Sequence, residues 1–324
     1  MLCREIPSQY LVGLNPAGVT TMKKSTHPFM QLLVLAAVSL VALLPVVLLT
    51  AALAIADIPV NEMPYLYVIQ AVTQLLTLAL PVLVVTMVYY RGRQREYYRL
   101  DFSGRRWLMA LAGMVIMMLI VPLDDALARW NQTWELGAQG DVLHALQDKT
   151  EGLIKEMFST TGVGGLIVNL LVIALVPAVC EELFFHAGIQ NLLERWFTGN
   201  YEGAKRCRCK AFGTHAAVWV TAVVFSLIHG EIYSFVPRVL MGAVLGYLYV
   251  YSGSLLVNMA AHFLNNGMLV VLYWLYYNGL STVDPESDMM IGWPVTVCCT
   301  LAALTLFYAS FIMGHSRATD KKGE

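Results

Sequence analysis

Two glutamates, Glu181 and Glu182, stand side by side inside a largely apolar stretch that runs from Ala174 to Leu193. A charged side chain at the centre of a membrane helix costs roughly 2.5–3.5 kcal/mol on insertion scales, so the pair calls for a use. In low-dielectric surroundings a carboxylate is a stronger general base toward water than it is in solution. Three further polar residues lie downstream in apolar runs. His229 ends the run Phe225-Ser-Leu-Ile-His229, and His262 and Asn266, four apart, share one helix face. An imidazole can hold a water molecule and pass protons. A second imidazole and an amide NH2 can donate hydrogen bonds to the oxyanion that forms on an attacked carbonyl; losing one such donor typically costs about 10²–10³ in rate. Taken singly, each histidine reads as a hydrogen-bonded core residue, and the glutamates alone would also suit a proton relay. The five together suit hydrolysis by activated water. Cys180 as a thiol nucleophile with His229 would leave the glutamates without a role.

Glu181-Glu182-Leu-Phe-Phe, then Phe225-x-x-x-His229, then His262-x-x-x-Asn266, in this order on successive apolar helices, resemble the CAAX protease and bacteriocin-processing (CPBP) family. The resemblance covers roughly residues 164–277, and the order of the three motifs is more specific than any one of them. It implies an eight-helix intramembrane endopeptidase acting near the membrane on a peptide or protein substrate, prenylated or of leader type. It further implies Glu181 as general base, His229 as its partner at the water, and His262 and Asn266 as oxyanion stabilisers. Glu182 is then a supporting residue, together with Phe225 and His186. The family's first motif usually reads Glu-Glu-x-x-x-Arg, whereas this chain has His186-Ala187-Gly188. Arginine is always charged and forks onto carboxylates, while histidine titrates near neutral pH, so electrostatic support of the glutamates is expected to be weaker or pH-dependent here. The family is commonly described as a metalloprotease group, and Glu181, His229 and His262 would make a Glu-His-His zinc site with an open position. No His-Glu-x-x-His is present and the histidines come from separate helices. A metal-free, glutamate-activated water uses the same residues and is the favoured reading, with zinc as the alternative.

The elements that position these residues follow from composition. Hydrophobic residues make up 58% of the 324 and charged residues 13%, against roughly 25% charged in soluble domains. A spanning helix needs about 20 mostly apolar residues, and eight such stretches occur, near 29–56, 68–90, 107–127, 164–193, 212–229, 235–252, 254–277 and 292–314. The fold class expected is an all-α integral membrane protein, a bundle of about eight transmembrane helices around an intramembrane polar site. It divides into an N-terminal segment 1–28, helices one to three with a connection (29–163), a catalytic core (164–277), and a last helix and tail (278–324). Segment 141–158 spaces Val142, Leu143, Leu146, Leu153, Ile154 and Met157 at helical intervals and reads as an amphipathic helix on the outer interface or capping the bundle.

Seventeen of 21 Lys and Arg residues fall in the N-terminal segment, in 91–106, in 194–211 and in the tail, all on one side of an eight-helix arrangement. Positive residues favour cytoplasmic loops, which implies both termini cytoplasmic and basic loops that favour anionic lipid; a bacterial inner membrane and no nucleic-acid partner are expected. Cys207 and Cys209 lie in a basic loop and read as incidental thiols; Cys298 and Cys299 read as packing residues. Met22-Lys23-Lys24 resembles a translation start, with 1–21 an unstructured extension. Arg238 is expected to snorkel or to pair with Glu231, and Asp124 and Asp125 to cap the outer end of the third helix. Counting at about 1.5 Å per residue places Glu181 near mid-membrane but His229 about 25 Å from the cytoplasmic end, a mismatch in depth. Two rivals keep the bundle without the hydrolysis: a catalytically degenerate scaffold or immunity protein, and a proton-coupled transporter. The latter would show an inverted repeat or interrupted helix pairs, and the sequence shows neither.

Overall fold

A computed structural model describes residues 26–59, 62–201, 210–285 and 291–320. The expectations for residues 1–21 and Met22, for Cys207 and Cys209, and for the C-terminal lysines lie outside the described residues. Among those described there is no strand, and eight helices are long and apolar enough to cross a membrane: Pro28–Ile55, Tyr65–Tyr89, Arg106–Gln132, Gly162–Phe197, Lys210–His229, Ile232–Ser252, Leu255–Tyr277 and Trp293–Ile312. The chain is an all-α, multi-pass integral membrane protein. The first and eighth helices turn Leu40, Val41, Leu48, Leu301 and Leu304 outward, as lipid-facing helices do.

The fourth helix runs four residues further than the range expected from hydropathy, and this narrows the mismatch in depth. From Phe197 back to Glu181 is about 24 Å, and from Lys210 to His229 about 29 Å, at 1.5 Å per residue. Both helices end on the face that carries the basic connections, so the two side chains reach similar depth. The extra turn is polar yet buried: Glu194 accepts a hydrogen bond from Thr214 Oγ1 at 3.0 Å and sits 3.7 Å from Arg99.

Helices five and six form the tightest pair, because small residues let the backbones approach. A Cβ on Gly242 would stand 3.1 Å from the Ala222 Cα, and one on Gly246 would stand 2.9 Å from both Gln190 Oε1 and Val218 Cγ1. Gly246→Ala is therefore expected to dislodge Gln190 and to lower stability by about 1–3 kcal/mol, read as a lower thermal midpoint in detergent. Phe184, Phe185, Phe225, Tyr249 and Leu255 pack beneath the site from helices four to seven, with Leu35 and Val82 from the first two.

Prolines shape the helices that carry chemistry. Pro177 removes one backbone donor and crowds the carbonyl four residues back, that of Ile173. The helix answers with a π-helical stretch over Leu170–Leu175, and Pro81 follows a similar stretch over Leu75–Ala79.

Two expectations are corrected. The third helix continues to Gln132, so Asp124 and Asp125 lie within it rather than at its end; Asp125 pairs with Arg129 one turn on, which supports the extra turns. Cys298 is exposed on the outer face of the eighth helix and packs no core. Arg238 pairs with Glu231 as expected. The amphipathic helix spans Ala138–Phe158 and is fastened at its two ends: His144 stacks on Tyr233 with ring centroids 3.5 Å apart, Phe158 stacks on Tyr273 at 4.3 Å, and Tyr67 donates to Asn169 Oδ1 at 2.6 Å beside the Met157 carbonyl. Val142 and Leu146 remain exposed, which suits a helix lying in the interface.

Candidate active site

The fourth helix brings Glu181 and Glu182 to the seventh helix from its far side. A third π-helical stretch, Glu182–Gln190, begins at the second glutamate. Such wide turns occur often at functional sites, and here both neighbouring carboxylates reach the same imidazole. Glu182 is 1% exposed, and its Oε1 lies 2.8 Å from Nδ1 of His262. Its Oε2 accepts from Asn258 Nδ2 at 3.1 Å. Glu181 is 8% exposed and makes no hydrogen bond among the described residues; its Oε2 lies 3.9 Å from Nε2 of His262 and 3.9 Å from Nε2 of His229.

The partners settle which ring nitrogens carry protons. A carboxylate and a carbonyl only accept. His262 therefore gives its Nδ1–H to Glu182, and His229 gives its Nδ1–H to the Phe225 carbonyl at 2.7 Å. Both rings then turn Nε2 toward Glu181. The Phe225 ring packs on His229 at 4.6 Å and on Phe185 at 4.9 Å, which fixes the imidazole plane. His186, where the family has arginine, is 1% exposed. Gln190 donates Nε2 to the Gly246 carbonyl at 3.0 Å, so its Oε1 faces His186 Nδ1 at 2.8 Å and that nitrogen donates. His186 Nε2 comes to 3.4 Å from Glu182 Oε2, outside hydrogen-bonding geometry. The histidine thus touches the same glutamate an arginine would fork onto, with one weaker contact.

Of the residues singled out in the sequence, the structure gathers Glu181, Glu182, His186, His229 and His262, with Phe225 as a support. Asn266 lies one turn along from His262 and half-buried, but its Nδ2 faces the Ile173 carbonyl at 3.4 Å, the group that Pro177 displaces, and not the glutamates. Asn258, overlooked in the sequence, lies one turn the other way. It holds Glu182 and also donates to the Leu245 carbonyl at 2.7 Å. The signal was present: Ser254, Asn258, His262 and Asn266 recur every four residues, as do Glu182, His186, Gln190 and Glu194 on the facing helix.

The donor chemistry of Glu181, His229 and His262 is of the kind zinc takes. With bonds of about 2.0–2.2 Å, two ligands of a tetrahedral zinc stand about 3.3–3.5 Å apart. Each imidazole nitrogen here stands 3.9 Å from the carboxylate oxygen. Among the described residues no three His, Cys, Asp or Glu side chains are grouped to hold a metal ion. The metalloprotease expectation gains no support from the set as arranged.

No curated protein and no solved structure matches the chain. The segment that supplies every one of these side chains, residues 163–268, matches the Rce1-like family, described as type II CAAX prenyl endopeptidase Rce1-like, and over that segment the chain is similar to this family.

Proposed function

We propose that the chain is an intramembrane endopeptidase that hydrolyses a peptide bond of a membrane-associated substrate, prenylated or of leader type, with water activated by Glu181. The observation that supports this most is the convergence on Glu181 of two Nε2 atoms whose rings are locked from behind, His262 by Glu182 and His229 by the Phe225 carbonyl. A water between these atoms gives its proton to Glu181 as its oxygen bonds to the substrate carbonyl carbon. The carbonyl electrons move to oxygen, and the resulting oxyanion needs donors. Asn266 retains a second N–H, and a His262 that carries a proton on both nitrogens before the step donates from Nε2, a charge the Glu182 carboxylate stabilises. Glu181 then returns its proton to the leaving nitrogen as the carbon–nitrogen bond breaks, giving a carboxylate and an amine. The distribution of basic residues supports cytoplasmic termini; the membrane we propose is a bacterial inner membrane, with anionic lipid at the basic loops and no nucleic-acid partner.

The test is cleavage of a peptide library by purified protein in nanodiscs, with and without chelator. Cleavage is expected to survive chelation; its loss on chelation and return with zinc would replace the glutamate-activated water by a metal site. His186→Ala is expected to lower cleavage by about 10–100-fold, the effect typical of removing an outer-shell partner, with His186→Arg restoring it. A wild type that is inert and becomes active as His186→Arg would make the natural protein a silent member that binds without cutting.

A further inference from the structure

A hydrolase inside a membrane consumes water at a site surrounded by lipid-facing helices, and the distribution of unpaired polar atoms shows a route for it. Eleven buried side-chain nitrogens and oxygens have no partner among the described residues, and five of them lie in one region: His186 Nε2, Asn258 Oδ1, Ser254 Oγ, Tyr249 OH and Tyr97 OH. All five residues are at most 7% exposed. They sit where the two facing polar stripes, on the fourth and seventh helices, meet the sixth helix.

Tyr249 links the catalytic glutamates to the basic face. Its ring lies 6.2 Å from that of His186, and the Arg99 guanidinium sits over it at 4.7 Å. The connection 91–106, read from sequence as a surface loop, folds inward at this point. Arg99 adopts a left-handed conformation, φ 52°, that ends the short helix Gln94–Tyr98, and its carbonyl accepts from Leu255 N at 3.1 Å. Tyr97 and Tyr98 are thereby buried, and Arg99 keeps 22% of its side chain exposed at the basic face. Burial, reinforced by the neighbouring Tyr249 and Tyr98, pushes the Tyr97 hydroxyl well above its ordinary range, so it stays a neutral O–H donor. From Ser254 to His262 is eight residues of helix, about 12 Å, a length that a few water molecules span.

We propose that a short file of bound water fills the buried seam between Arg99 and Glu182 and delivers water from the basic face to Glu181; the delivery half rests on the hydrolase reading, the hydration half does not. Native proteins rarely leave buried polar atoms unpaired, and bound water with two to four polar partners is the usual remedy. Here hydroxyls that can donate and accept (Tyr97, Tyr249, Ser254) are joined by acceptors (Asn258 Oδ1, Glu182), the groups that a hydrogen-bonded file can use.

Brief X-ray pulses turn bound water into hydroxyl radicals that modify the side chains it touches, and mass spectrometry locates the modification. Applied to the intact protein in nanodiscs, this is expected to modify the buried Tyr97 and Tyr249 as readily as the exposed Tyr65, with Tyr249 modification falling in Tyr97→Phe. Unmodified Tyr97 and Tyr249 beside a modified Tyr65 would overturn the hydrated seam, whether or not the protein cleaves peptides. The double variant Tyr97→Phe/Tyr249→Phe changes no packing volume. It is expected to lower kcat about ten-fold, the weight of one lost hydrogen bond, at unchanged KM and with a lower thermal midpoint. Modified tyrosines with wild-type cleavage in the double variant would overturn delivery, and a higher midpoint in that variant would show hydroxyls without water. If the wild type is modified yet cleaves nothing, the hydration stands and the hydrolase reading falls.

Discussion

Glu181→Gln is expected to lower kcat for peptide cleavage by about 10²–10⁴-fold, the range for loss of a positioned general base, while leaving the thermal midpoint unchanged. The expected separation of rate from stability comes from the geometry. Glu181 makes no hydrogen bond among the described residues, and both imidazole nitrogens stand 3.9 Å away, so a glutamine of the same shape disturbs no contact the fold depends on. It does lose the proton acceptor, because an amide oxygen cannot take the proton of an attacking water and return it to a leaving nitrogen. KM should stay near the wild-type value, since the carboxylate acts on water rather than on the ground-state substrate. Rates in nanodiscs, with melting followed in parallel, check this. A Glu181→Gln protein that keeps more than about a tenth of the parent rate would remove Glu181 from the role of base.

The spanning helices were legible in the sequence because bilayer thickness fixes their length, and all eight lie within a few residues of where hydropathy places them. Errors fell where a polar residue inside a helix finds a partner that hydropathy does not see. Glu194, matched by Thr214 and Arg99, reads from sequence as the start of a loop, and that undercount widens the expected mismatch in depth between Glu181 and His229. Asp125, matched by Arg129, was read as a helix end.

Within the site, residue types were legible but directions were not. Glu181 and Glu182 are adjacent, and only the wide turn over Glu182–Gln190 shows that the second approaches His262 from behind while the first faces its other nitrogen. Pro177 announced a displaced Ile173 carbonyl four residues earlier, and that carbonyl is where Asn266 is found. The inward fold of Tyr97 and Arg99 had no hydropathy signal, since an arginine-rich stretch reads as solvent-exposed.

The second large effect belongs to the other glutamate and is of the opposite kind. Glu182→Ala is expected to destabilise the protein by about 3–5 kcal/mol, the usual result of removing one member of a buried charged network, as well as to abolish cleavage. Glu182 accepts from His262 and Asn258 and approaches His186, and all three are at most 2% exposed, so their removal from Glu182 is not made good by bulk solvent. His262 would no longer have its Nδ1–H held and could rotate or exchange tautomers, leaving Glu181 without a fixed neighbour. Glu182→Gln should fall between, because its single carbonyl oxygen can serve His262 or Asn258 but not both. Thermal unfolding in detergent for the series Glu, Gln, Ala should therefore descend stepwise, while the same series at position 181 should stay level between Glu and Gln. Equal melting of Glu182→Ala and wild type would mean that Glu182 is not the residue that fixes His262, and the ordering of roles between the two glutamates would have to be exchanged.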